Sequence, residues 1–268
     1  MAKIWKRFSV VFIVLAIVVC LLFLAWRFES RSYRKSFDVE TSARTPETLR
    51  VASYNIKLLN EGEGLANITE ELQDMEIDIL CLQEVDQNAL RSGNFDQVEA
   101  IASALDFPYY HFYQTMFVFP GHYGLAILSK YPITEVISRE IPQEIFTEPR
   151  ILAEAIIQLG EKEVHVYNTH FTWNQQQVQM NEVNFVHDNL AKESVILMGD
   201  FNSFWNEKQE QYLGLQQLNN EENRLITFMG FASPDNIFID DAFEVISMQM
   251  QATTFSDHAM VYADLKVK

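Results

Sequence analysis

The chain has 268 residues, 48% hydrophobic and 21% charged, which is the composition of a folded globular protein rather than a disordered or fibrous one. Its two cysteines, Cys20 and Cys81, exclude a disulfide framework and a zinc cluster. Lys and Arg number 20 against 37 Asp and Glu, a net charge of −17, and the charge is uneven. Residues 1–35 hold seven basic side chains and one acid, so residues 36–268 carry 13 basic and 36 acidic groups, a net of −23. A domain this acidic repels polyanions at long range, which disfavours a nucleic-acid partner.

In chain order, the first feature is Val10 to Trp26, a run of 17 residues with no charge and no proline, extended to Phe8 across Ser9. As a helix it reaches about 25–28 Å, close to a bilayer's hydrocarbon thickness. Trp5 and Trp26 stand where interfacial rings prefer to lie. A cleaved signal peptide would have a shorter apolar region ending in small residues, whereas this run ends Leu24-Ala25-Trp26-Arg27. Residues 1–26 therefore read as an uncleaved, single-pass membrane anchor, with membrane contact through residues 8–26. Three basic residues precede the run and four follow within ten positions, so the side of the membrane stays open. Residues 27–47 read as a polar stem, and residues 48–268 as the folded catalytic domain.

Within that domain the patterning predicts strands over 49–56, 79–83, 124–129, 133–138, 151–158, 164–168, 195–199, 236–239, 244–250 and 260–265. Helices are predicted over 65–75, 96–105, 175–190 and roughly 206–218, and Met116 to Pro120 reads as a loop. The connection Lys130-Tyr131-Pro132 is too short for a helical crossover, so the strands it joins must be antiparallel. Strands of mixed direction with helices flanking them imply two packed sheets with helices outside.

Several predicted strands end in polar residues unsuited to a core. Asn55 closes the first and Glu84 follows Leu82-Gln83. His170 follows Asn168-Thr169, Asp200 and Asn202 follow Gly199, and Ser256-Asp257-His258 precedes the last strand. Each alone has an ordinary reading as a turn, cap or solvated group. In a mixed sheet all five clusters can meet on one rim, where sites of open sheets form.

These pieces resemble the endonuclease/exonuclease/phosphatase superfamily. The resemblance spans Leu49 to Leu265 and also takes in Tyr123-Gly124-Leu125-Ala126-Ile127-Leu128-Ser129 and Pro234-Asp235-Asn236-Ile237-Phe238. It implies a four-layer α/β/β/α sandwich of two mixed sheets and a metal-dependent phosphoric ester hydrolase. It further implies Glu84 as main metal ligand with Asn55 beside it and Asp257 as a further metal-side carboxylate. An oxygen set of this kind suits Mg²⁺, with Mn²⁺ as substitute. His258 resembles the catalytic histidine, Asp235 its orienting partner, Asp200 the base for the attacking water and Asn202 a phosphoryl-oxygen ligand. Either Asp200 or His258 could be the base. His170 could donate a second hydrogen bond to phosphate, and Arg150 and Trp173 are candidate substrate contacts.

The anchor, the acidic domain and the aromatic residues beside the motifs (Phe171, Trp173, Phe204, Trp205) together favour a membrane-tethered phosphodiesterase acting on a lipid or lipid-derived phosphoester. A membrane-anchored nuclease, stacking bases on the same rings, is the alternative, with a non-catalytic module on this fold behind it. Nothing in the sequence points to an obligate protein partner.

Overall fold

A computed structural model describes residues 11–19, 31–40, 45–144, 147–173, 175–202 and 213–268. The chain divides into two compact units, Met1–Ser30 and Arg31–Lys268. Of the first, helix α1 (residues 11–19) is described, and its apolar side chains are exposed. Among the described residues no helix is long and apolar enough to cross a membrane, and the rest of the apolar run expected to span one lies outside them.

The second unit is built on two mixed sheets. One runs β1-β6-β7-β8-β9-β11-β10 and the other β12-β13-β2-β3-β5-β4. The first comprises β1 (Tyr33–Ser36), β6 (Ile133–Ile141), β7 (Arg150–Leu159), β8 (Lys162–His170), β9 (Val195–Asp200), β10 (Gln216–Gln217) and β11 (Asp235–Ile239). The second comprises β2 (Thr48–Asn55), β3 (Ile79–Gln87), β4 (Tyr109–Val118), β5 (Gly121–Ser129), β12 (Phe243–Gln251) and β13 (Met260–Val267). Each sheet has one parallel pair, β2 with β3 and β8 with β9. A parallel pair needs a long crossover. Helix α2 (Leu65–Leu72) lies in the first crossover and α4 (Gln176–Asn189) in the second, while α3 (Gln97–Ala104) follows β3. Asp96 caps α3 by accepting from the backbone N–H of Val98 and Glu99.

Alternation along the strands produces the layers. In β2 and β3, Val51, Ile79 and Cys81 point between the sheets and pack with Ala153, Val166 and Met198. The next residues, Ala52, Leu80 and Leu82, point outward and meet Ile68, Val98 and Ile101 of the helices. On the other side Tyr167 and Leu197 meet Val183 and Val186 of α4. Three apolar seams between four layers give the α/β/β/α sandwich. A buried polar bridge also spans the two sheets. Asn168 Nδ2 donates to the Leu82 and Ala126 carbonyls at 2.9 Å each, and Gln83 Nε2 donates to Asn168 Oδ1 at 2.8 Å.

Three elements depart from the sequence reading. Part of the stem belongs to the fold, because β1 pairs antiparallel with β6 in full register. Arg31 is buried and donates to the Thr115 carbonyl, and the Tyr33 ring stacks on Tyr113. The mixed-charge sequence hides this strand, since edge strands take charged side chains. No strand is predicted by the patterning over Tyr109–Val118, which forms β4, and Met116 to Val118 is not a loop but its end, paired with Gly121 to Tyr123. The helix expected over 206–218 does not reach its end, because Gln216 and Gln217 pair with Ile239 and Phe238. Residues 206–212 lie outside the described part.

Candidate active site

The carboxyl ends of both parallel pairs point to one rim of the sandwich, and the polar strand ends gather there. They line a cleft of about 470 Å³ that includes Lys57, Glu84, Arg150, His170, Asp200 and His258. A second hollow of about 500 Å³, around Lys162, His165 and Lys268, contains none of the predicted site residues.

The local chain geometry is built to present these groups. Gly199, in the last turn of β9, lets the backbone pass Thr169 closely, for a Cβ there would lie 2.2 Å from the Thr169 oxygen. Asp200 follows it, and Asn202 turns the chain with φ +46°, a conformation asparagine tolerates. Glu84 sits in a bulge between Leu82 and Val85, with φ +55°. A left-handed glutamate costs about 1–3 kcal/mol, a strain typical of functional positions. After Asn55, Lys57 to Asn60 form a left-handed turn. It brings the Lys57 ammonium to 2.9 Å from Asp257 Oδ2.

Three hydrogen-bond systems hold the centre. Asn55 Nδ2 donates to Glu84 Oε1 and to Asp200 Oδ2, both at 3.0 Å, while its Oδ1 accepts from the Lys57 backbone at 3.1 Å. Asn55 thus clamps two carboxylates together. His258 Nδ1 lies 2.9 Å from Asp235 Oδ2, which also accepts from the Thr227 hydroxyl at 2.6 Å. Its Nε2 faces Asp200 Oδ2 at 3.6 Å, and His170 Nε2 faces the same oxygen at 3.5 Å. The Asn202 backbone N–H donates to Asp200 Oδ1 at 2.9 Å, and its side chain donates to the Phe171 carbonyl. Gln179 secures that loop by donating to the Asn202 and Thr172 carbonyls.

The electrostatics separate the groups. Burial opposes charge on His258, but Asp235 and Asp200 outweigh it and bring its pKa up to about 10. It is an imidazolium at neutral pH. Burial, with Arg150 and His258 nearby, holds His170 well below the ordinary range, so it is neutral. Burial and the Asp235 charge push Asp200 up against the opposing pull of His258. Burial, with Asp200 and Asp257 close, pushes Glu84 up against its bond from Asn55.

His258 compensates the Glu84 charge only in part, and the carboxylate oxygens of Glu84 and Asp257 at the cleft suit a hard divalent ion. Asp200, Asp235 and His258 each offer a ligand atom within 4.8 Å of the others, a second group able to hold a metal, and His258 is hydrogen-bonded to Asp235 within it.

All ten residues singled out in the sequence lie at or beside this rim. Glu84, Arg150, His170, Trp173, Asp200, Asn202, Asp257 and His258 line the cleft, and Asn55 and Asp235 lie behind it through the bonds above. Arg150 is buried, with Nη1 2.9 Å from Glu148 Oε1 and its Nε without a partner. Phe204 and Trp205 fall outside the described residues. Lys57 and Arg91 also line the cleft and were not anticipated. Lys57 stands two residues from Asn55 and could have been suspected, whereas Arg91 carries no motif.

Two mixed sheets in an α/β/β/α sandwich, with buried carboxylates and a charged histidine at the strand ends, define a phosphoester-hydrolase architecture. The Endonuclease/Exonuclease/phosphatase family pattern matches residues 52–258, and the chain belongs to that family. Its members are phosphoester hydrolases, and this protein is an enzyme of that class. The fold is similar to an endonuclease/exonuclease/phosphatase of Beutenbergia cavernae DSM 12333, with TM-score 0.71 and 18% identity over 83% of this chain and 72% of that one. It is also similar to a mannosyl-6-phosphatase of Bacteroides thetaiotaomicron VPI-5482, with TM-score 0.62 and 18% identity over 81% and 99%. TDP2 from Caenorhabditis elegans has TM-score 0.63 and 17% identity over 82% and 74%. At these identities the likeness is one of fold. No curated protein is found as a relative of the chain.

Proposed function

We propose that the protein is a Mg²⁺-dependent phosphodiesterase, tethered to a membrane through residues 8–26 and acting on a lipid or lipid-derived phosphoester. The observation that carries the catalytic reading is the ordered set Asp235–His258–Asp200 beside the undercompensated Glu84. Glu84 would be the principal ligand of Mg²⁺ or Mn²⁺, with Asp257 on the same side and Asn55 orienting the carboxylate. The bound ion supplies Lewis-acid stabilisation of charge on phosphoryl and leaving oxygens.

The chain's own residues divide the remaining work. Asp200, whose pKa is raised, is the base that takes a proton from the attacking water. His258, whose imidazolium form Asp235 and Asp200 favour, is assigned the donor's part. Its Nε2–H donates to a phosphoryl oxygen as negative charge builds there. Asp235 and Thr227 are positioning residues that hold that ring. Neutral His170, facing the same Asp200 oxygen as His258, offers a second donor, and Arg150 a charged one. Asn202 anchors Asp200 through its backbone N–H.

The acidic domain and the apolar N-terminal run support the lipid reading. One observation favours a nuclease, for Trp173 is half exposed at the cleft and could stack a base. Incubating the full chain with Mg²⁺ and a panel of phospholipid vesicles, soluble inositol phosphates and mixed-sequence DNA and RNA decides between them. Turnover of a phospholipid or its soluble headgroup ester is the expected result. Efficient nucleic-acid cleavage with every phospholipid untouched would overturn the lipid reading.

A further inference from the structure

Two clusters of exposed apolar side chains bracket the cleft. On one side the β4–β5 hairpin carries Phe117, 43% exposed, and Phe119, 71% exposed, with Leu90 at 65% beside them. The Leu90 N–H donates to the Phe119 carbonyl at 3.2 Å, joining the two segments. On the other side Trp173 packs on Phe228 at 5.9 Å between ring centres, and Phe228 lies 4.7 Å from the His258 ring. Beyond Phe228, the tight turn closed by its pairing with Ala232 exposes Met229 at 65% and Phe231 at 61%. Its base is pinned by the Met229 N–H to the Asp257 carbonyl and the Ala259 N–H to the Thr227 carbonyl. Isolated exposed apolar residues are unremarkable, but here Trp173 lines the cleft, Leu90, Phe117, Met229 and Phe231 adjoin or bond to the lining residues Arg91, Met116, Phe228 and Asp257, and Phe119 bonds to Leu90, which makes a surface that water covers poorly.

The chain enters the folded unit at the same rim. β1 runs antiparallel to β6, pairing Tyr33 with Ser138, and the Ser32 hydroxyl accepts from the Glu140 N–H. Glu140 lies next to Ile141, which pairs with Arg150 at the cleft. Buried Arg31 donates to the carbonyl of Thr115, one residue before Met116 of the cleft wall. The apolar run at residues 8–26 and the uncharged character of these exposed side chains point to a lipid surface as what covers them.

We infer that the catalytic rim is a membrane-docking face, seated by these two apolar clusters on a zwitterionic bilayer so that the cleft opens onto lipid headgroups. The inference rests on the membrane-tethered reading above and deepens it. A zwitterionic surface is the fitting occupant because the acidic domain repels anionic lipid and the clusters are uncharged. Docking through apolar area also predicts little dependence on salt.

The test uses the full chain on phosphatidylcholine vesicles, with a fluorophore on a single cysteine introduced by Phe119→Cys, Phe231→Cys or, at the far end, Glu163→Cys. The background carries Cys20→Ser, and Cys81 is buried. Brominated acyl chains should quench the first two probes and spare the third, with the pattern retained in high salt. Quenching at position 163 instead, or at none of the three, would overturn the inference. A second measurement separates docking from substrate. Phe119→Ser with Phe231→Ser should reduce hydrolysis of vesicle phospholipid by about tenfold or more, leaving turnover of bis(p-nitrophenyl) phosphate unchanged. Equal losses on both substrates would contradict a docking role. Probes quenched as expected while no phospholipid is cleaved would keep the docking face and discard the lipid as substrate.

Discussion

His258 Nδ1 lies 2.9 Å from Asp235 Oδ2, and Asp200 Oδ2 faces the other ring nitrogen at 3.6 Å. This pairing keeps the histidine charged, and a charged histidine is a donor rather than a base. Replacing Asp235 by Asn removes the carboxylate that favours the imidazolium. Turnover should fall by about 10²–10⁴-fold at neutral pH. In the unmodified enzyme the activity that depends on the imidazolium should persist until pH rises through about 10. In Asp235→Asn that alkaline limb should move down toward neutral pH. Rate profiles between pH 5 and 10.5 check the shift, and an unmoved limb would assign Asp235 a purely structural part.

Asp200 and His258 share one step, the attack of a water whose proton leaves as charge grows on phosphate. Asp200→Asn and His258→Ala should each lower kcat by about 10²–10⁴-fold. The double variant should be much less impaired than the product of the two, as groups acting as a unit are. Independent, multiplicative losses would place them in different steps.

His111 gives a pH dependence remote from the chemistry. Its Nε2 lies 2.9 Å from the Tyr33 hydroxyl, and its ring contacts Tyr113 and Phe37. Burial, helped by Lys35, lowers its pKa to about 4. Because the folded value lies below the unfolded one near 6.5, the unfolded chain takes up the proton first. Stability is full above about pH 6.5 and falls as pH drops toward 4, by up to about 3 kcal/mol. His111→Phe should flatten the urea-unfolding midpoint between pH 7 and 5 relative to the unmodified chain. An equal decline in both would remove His111 as the cause.

Much of the site was legible in the sequence because its residues sit where strands end. There, polar groups interrupt apolar runs and stand out, as with Glu84 after Leu82 and Asp200 after Gly199. What stayed hidden depends on contacts distant in sequence. β1 looks like a polar stem, and its place in the sheet comes from Tyr33 on Tyr113 and Arg31 on Thr115, which no local pattern announces. The β4–β5 hairpin reads as a loop because Phe117 and Phe119 face outward, so the apolar alternation of a half-buried strand is lost. The amide of Asn55 looks like an oxygen donor by residue type. Its placement as a clamp between Glu84 and Asp200 follows from three strands converging.

The central claim is that Glu84 holds a catalytic divalent ion, and the decisive measurement is phosphodiester hydrolysis by the full chain across a Mg²⁺ titration. Glu84→Gln should lose activity by orders of magnitude and no longer respond to Mg²⁺. Its thermal midpoint without metal should hold or rise, since the buried, undercompensated charge is gone. In the unmodified chain excess chelator should abolish turnover and added Mg²⁺ restore it. Full turnover in excess chelator, or a Glu84→Gln variant as active and Mg²⁺-responsive as its parent, would contradict the account.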